Sequence, residues 1–144
     1  MPDPRTVASN NLAASVTGWM RRWESLINAD DIETARPMFD PEVIAFGSMT
    51  AIMDGRDELI KRQWSQMWPR LKDFAFAYDS ARILGNQGDQ TVSVATPWIS
   101  LGRKGDGWYE RRGRCTLVLR RRGDDFVCIH SHFSMEPGIP PVAD

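Results

Sequence analysis

The sequence predicts an α+β fold, with helices packed on one face of a curved sheet. Apolar residues recur at steps of three and four as far as Pro69 and at steps of two beyond it. The alternating runs are separated by GNQGD, GRKGDG and RRRGDD, whose glycines and acidic residues mark the turns of an antiparallel sheet.

Asp3 followed by Pro4 has the chemistry of a helix start, and Leu12, Val16, Trp19, Trp23 and Ile27 form an apolar stripe opposite Ser15, Arg21, Arg22 and Ser25. A long first helix with a heavy aromatic face is expected. Asp30 or Asp31 can cap a short second helix carrying Ile32 and Ala35, which Pro37 stops. PEVIAFGSM reads as a short strand turning at Gly47 and Ser48. A third helix starts near Arg56, presents Leu59, Ile60, Gln63, Trp64 and Met67 on one side, and ends at Pro69. FAFAY (74 to 78) alternates, and in TVSVATPWISL residues Val92, Val94, Thr96 and Trp98 share a face. RCTLVL and FVCIHSHFS form a last hairpin around Gly123, before an extended, proline-rich tail (137 to 144).

A chain of 144 residues, 42% hydrophobic and 26% charged, fits one ordered domain spanning 1–144 with its core at about 10–136. A net charge of -1 offers no field for nucleic acid, and the arginines of ERRGR and RRRGDD read as solvated turn residues partly offset by Asp124 and Asp125. MPDPRTVASNN lacks the pattern of a secretory signal, and no run is long enough for a membrane span; a soluble, cytoplasmic protein is the expectation. Cys115 and Cys128 read as free thiols.

SLINADDIETARPMFDPEVIAFGS (25 to 48), MDGRDELIKRQW (53 to 64) and GRCTLVLRRRGDDFVCIHSHFS (113 to 134), in this order and spacing, resemble the SnoaL-like group of the nuclear transport factor 2-like (NTF2-like) superfamily. The resemblance implies a cone, a bent mixed or antiparallel sheet wrapped around the long first helix with two further helices, and a pocket at the wide end. It also implies a homodimer joined through the outer face of the sheet. The superfamily holds isomerases, cyclases, dehydratases and kinase association domains, so the fold alone leaves the activity open.

The chain's two histidines lie one residue apart, in CIHSHFS. Strict alternation places Phe126, Cys128, His130, His132 and Ser134 on one side of the last strand. A four-residue hairpin loop would pair Arg121 with Phe126, Leu117 with His130 and Cys115 with His132. In the resembled pattern the aromatic opening this strand points inward, which would bring both histidines to the pocket. The opposite row then supplies the homodimer contact: Thr116, Val118, Val127, Ile129 and Phe133. Three readings of the pair compete. His130, His132 and Cys128 could ligate a metal, but only these two histidines exist and no carboxylate is near in the strand. The two imidazoles could act as catalytic acid and base. The plainest reading is that they hydrogen-bond nearby and form the polar part of a cavity.

Ketosteroid isomerase chemistry requires a carboxylate base, a tyrosine and a late-strand acid. The first two positions fall on Gly47 and Trp23 here, and RCTLVL holds no acid. Kinase association domains place arginines in the pocket; the matching position is Leu117, and Arg114 points away by alternation. The pocket expected from the sequence is bordered by Trp19, Trp23, Phe46, Trp98, Leu117 and Cys128, with His130 and His132 beside them. Such a pocket suits a small, largely apolar or aromatic metabolite, without metal or cofactor. The alternatives are a cofactor-independent isomerase, cyclase or dehydratase-type lyase using the histidines, and a dimeric assembly module without ligand.

Overall fold

A computed structural model describes residues 10–138, with the side chain of Asn10 excluded. The expected cap at Asp3 and Pro4 and the end of the tail lie outside these residues.

Helix α1 spans Asn10–Asn28 and buries the whole predicted stripe of Leu12, Val16, Trp19, Trp23 and Ile27. The chain turns out of it with Asp30 at φ 53°, and Asp31 caps the short helix α2 (Ile32–Ala35) by accepting from the Thr34 N–H. Pro37 then sits in a 3₁₀ turn, Arg36–Met38, whose tighter winding tolerates its missing N–H. Strands β1 (Phe39–Gly47) and β2 (Thr50–Asp54) form a hairpin; β2 has no counterpart in the sequence reading.

The third helix, α3, is α-helical over Arg56–Leu59, widens into a π turn over Ile60–Trp64, and resumes over Ser65–Met67. Within it the Ser65 N–H reaches the Ile60 carbonyl, five residues back. Leu59, Ile60 and Trp64 are buried, while Gln63 and Met67 are half-buried beside them. Pro69 falls in the 3₁₀ turn Trp68–Arg70 that closes the helix.

Strands β3 (Leu71–Phe76), β4 (Arg82–Leu84), β5 (Thr91–Lys104), β6 (Gly107–Arg122) and β7 (Asp125–Met135) complete a seven-stranded sheet. Its order is β2-β1-β7-β6-β5-β3, with β4 also on β5; β1 and β7 run parallel and the other pairs are antiparallel. The helices cover the concave face of this curved sheet. Val92, Val94, Thr96 and Trp98 point to that face together, as their alternation predicts, opposite Leu119, Leu117, Cys115 and Gly113 of β6. At Gly113 a Cβ would stand 2.2 Å from the Ser134 carbonyl oxygen and 2.3 Å from Cζ2 of Trp98. Only glycine lets that indole lie flat against β6, where its N–H donates to the Arg114 carbonyl at 3.1 Å.

Two polar side chains of α1 fasten its end to β3, where the β3–β5 register slips between Lys72 and Ala75. The Asn28 amide donates to the Phe74 carbonyl and accepts from the Phe74 N–H, both at 2.8 Å, and Glu24 accepts from the Phe76 N–H at 2.8 Å. Asn28→Ala strands both backbone groups of Phe74, so an equilibrium urea titration should show a loss of about 2 kcal/mol. A loss under ~0.5 kcal/mol would mean that water serves these groups equally well.

Candidate functional site: an aromatic hollow inside the cone

The last hairpin decides which side chains reach the interior. Its loop is two residues, Gly123 and Asp124, tighter than the four-residue loop expected. Gly123 has φ 62°, as the first position of a II′ turn requires. Arg121 still pairs with Phe126, and Leu119 with Cys128. The next pair is Val118 with His130, so Ile129 is an extra residue, a β-bulge. From there Leu117 faces Ser131, Thr116 faces His132, and Cys115 faces Phe133.

One inserted residue reverses the faces of all that follow. Phe126 and Cys128 point inward as expected, but Ser131 and Phe133 take the inner row while His130 and His132 turn to the outer face. The expected placement of both histidines in the pocket is therefore corrected. His130 is half-buried, with its Nδ1–H donating to the Ile44 carbonyl of β1 at 2.7 Å, and His132 is exposed. The bulge is held from both sides, because the Cys128 thiol lies 3.2 Å from the His130 carbonyl oxygen. Cys128 and the histidines now sit on opposite faces, which separates the three donors of the metal reading. Among the described residues no group of three or more His, Cys, Asp or Glu is placed to hold a metal.

Phe46 is likewise on the outer face, since it pairs with His132; the ring centroids are 5.1 Å apart, and 6.0 Å from Phe46 to His130. The outer row expected for self-association changes too. Phe133 faces the interior and Val127 is already buried, leaving Thr116 exposed and Val118 and Ile129 half-buried.

Inside, Trp23 is the hub of an aromatic cluster. Its ring lies 4.8 Å from Phe39, 5.6 Å from Trp19, 5.8 Å from Phe133, 6.0 Å from Phe76 and 6.2 Å from Trp64. Trp64 stacks on Trp68 at 4.6 Å, and Phe74 on Trp98 at 5.8 Å. Between these groups a hollow of about 50 Å³ opens to solvent. Helices α1 and α3 bring Trp23, Ile27, Gln63, Trp64 and Met67 to it; the sheet brings Phe74, Trp98, Ser100, Arg111 and Phe133, and the β1–β2 turn brings Ser48.

Of the six ligand-wall residues expected, Trp23 and Trp98 line this hollow. Trp19, Leu117 and Cys128 are fully buried in the packed core, and Phe46 lies outside. Burial pushes the thiols of Cys115 and Cys128 well above their usual pKa, so both stay protonated and unreactive at neutral pH.

Arg111 escaped the sequence reading. It continues the inward row of Leu117, Cys115 and Gly113, so simple alternation along β6 would have found it. Its side chain is 6% exposed; Nη2 donates to the Ser48 hydroxyl at 2.9 Å and lies 3.5 Å from the Met135 sulfur, and the guanidinium carbon sits 5.5 Å from the Trp98 ring centre. No ion pair holds it among the described residues. The hydroxyl of Ser100, its cross-strand partner, and the Nε1–H groups of Trp19 and Trp23 are buried without hydrogen-bond partners.

The sequence profile of the SnoaL-like domain matches residues 16–137, most of the chain. Solved structures share the fold across nearly the whole chain. An NTF2-like superfamily protein from Salmonella enterica serovar Typhimurium is 15% identical with a TM-score of 0.73, over 92% of this chain and 95% of its own. A proposed dehydratase of the NTF2-like family from Streptomyces avermitilis is 16% identical with a TM-score of 0.73, over 88% and 96%. The association domain of C. elegans CaMKII is 15% identical with a TM-score of 0.67, over 85% and 94%. No curated protein matches the sequence. At such identities the likeness to solved structures is one of fold, shared with NTF2-like proteins, while the profile match covers the helix, sheet and hairpin that build the hollow: the chain belongs to the SnoaL-like family.

Proposed function

We propose that the protein binds a small, largely apolar or aromatic molecule in the hollow between Trp23, Trp64, Trp98 and Phe133. The observation that carries this reading is the make-up of the wall. Its aromatic rings and methionine offer apolar contact, and a few polar groups converge at one side, the usual composition of a small-molecule site. None of the lining side chains is a carboxylate, histidine, cysteine, lysine or tyrosine. Proton transfer near neutral pH requires a group that titrates there, so the wall favours binding over the isomerase, cyclase or lyase alternative.

Tryptophan fluorescence and thermal melting with neutral aromatic probes, indole and benzamide, test this. Saturable binding should survive His130→Ala and His132→Ala unchanged within about twofold and be lost in Met67→Trp, whose indole fills the mouth. Absence of binding by either probe, or its loss in the histidine variants, would sink the proposal.

A second reading, compatible with the first, concerns self-association. Ile44, Phe46, Val118 and Ile129 are half-buried on the outer face of the sheet, away from the helices, and the CaMKII neighbour is an association domain. This supports a homodimer through that face, with Thr116 and Val118 near its centre. Val118→Asp should convert a dimer to a monomer in sedimentation velocity, and a wild type that sediments as a monomer at 100 μM or so would contradict it.

A further inference from the structure

We infer that Arg111 makes the hollow an anion site, and that the ligand is a small monocarboxylate whose apolar or aromatic body lies against the tryptophans. This rests on the pocket reading above and adds the chemical class of its occupant.

A guanidinium presents five N–H donors and stays charged at any physiological pH. In Arg111 only Nη2 has partners, a hydroxyl and a thioether, both neutral. Nε and Nη1 make no hydrogen bond among the described residues, and neither is among the fully sealed, unpartnered atoms, so both keep some accessible surface on a side chain that lines the hollow. Buried charges are ordinarily paired, because an uncompensated one loses its hydration with nothing in return. Among the described residues Arg111 is the one charged side chain that is fully buried, whereas the arginines that meet a carboxylate, Arg22, Arg36, Arg62, Arg112 and Arg120, all lie nearer the surface.

Two neutral polar groups of the lining are, by contrast, sealed in this structure. Ser100, directly across the strand pair, has a hydroxyl buried without a partner, and the indole N–H of Trp23 is another buried donor without an acceptor. A cation whose unused donors keep accessible surface, in a wall without a carboxylate, calls for an incoming group that only accepts. A carboxylate is such a group, and its two oxygens match the fork of a guanidinium. The hollow, at about 50 Å³, holds roughly four water-sized bodies, enough for the head and the first atoms of a short body that continues toward the mouth. A single cation in an aromatic wall suits one negative charge; a phosphate dianion would need more.

Calorimetric titration with benzoate and its neutral isostere benzamide tests the inference on wild type, Arg111→Met and Arg111→Lys. Wild type should prefer benzoate by about tenfold or more, as a buried charge-assisted pair requires. In Arg111→Met the preference should vanish while benzamide still binds, which also shows that the variant is folded; Arg111→Lys should recover part of it. Equal affinity of wild type for both compounds, or a benzoate preference that persists in Arg111→Met, overturns the carboxylate assignment and leaves the pocket reading intact. Failure of wild type to bind either compound overturns both.

Discussion

Deletion of Ile129 should abolish cooperative folding. Without the extra residue, β7 returns to strict alternation, and every side chain from position 130 onward changes face. His130 and His132 would enter the concave interior, while Phe133 would leave it for solvent. Phe133 packs within 5.8 Å of Trp23, 6.0 Å of Trp98 and 6.2 Å of Phe74, so its loss alone costs about 3–5 kcal/mol. Each imidazole buried without a partner adds about 1–3 kcal/mol. The His130 hydrogen bond to Ile44 is broken as well. The sum rivals the whole stability of a domain this size, about 5–15 kcal/mol, so the shortened chain should show no cooperative transition in urea by circular dichroism. A variant that unfolds cooperatively with its stability reduced by less than ~1 kcal/mol would show that the strand tolerates either phase.

Trp23→Ala should be the most damaging single substitution in the core, at about 3–5 kcal/mol. Trp23 is 1% exposed and touches five other rings, which come from α1, α3, β1, β3 and β7. No one neighbour can move into its place without leaving another unsupported, so the cavity cannot collapse. Trp108 provides the control. It is 38% exposed on β6, with Lys72 and Arg103 lying over its ring, and Trp108→Ala should cost under about 1 kcal/mol. Urea midpoints for the two variants, compared with wild type, check both. Equal effects would mean that the aromatic cluster does not organise the cone.

Most of the architecture could be read from periodicity because burial enforces it. The stripe on α1 and the even row of β5 each face the core along their full length, so a local pattern and a long-range contact agree. The short strands β2 and β4 were not legible, since five and three residues leave too little alternation to register.

The site was harder, for a specific reason. In CIHSHFS the two possible rows, Cys128, His130 and His132 or Ile129, Ser131 and Phe133, both mix apolar and polar residues, so composition does not select one. The choice is made by β1, whose pairing with β7 slips from Phe39–Cys128 to Ile44–His130, and whose Ile44 carbonyl accepts a hydrogen bond from the His130 Nδ1–H. That partner lies 86 residues away. A local trace of the bulge does exist: alternation breaks at Phe126–Ile129, which are all apolar, and the next apolar residue, Phe133, is in the odd phase. A change of phase within a strand is what a bulge leaves in a sequence. Arg111 was legible by the same counting, but an arginine in an inward row contradicts the expectation that charges stay outside, and only the donor-rich, acid-free wall around it explains the exception.

Nuclear Overhauser contacts from the ring of Phe133 give the most direct test of the bulge and of the hollow it shapes. Cross-peaks should connect Phe133 with the indoles of Trp23 and Trp98, and the imidazole of His132 with Phe46. Cross-peaks from the His132 imidazole to Trp23 or Trp98, with none from Phe133, would contradict the inward placement of Phe133 and return the histidines to the pocket.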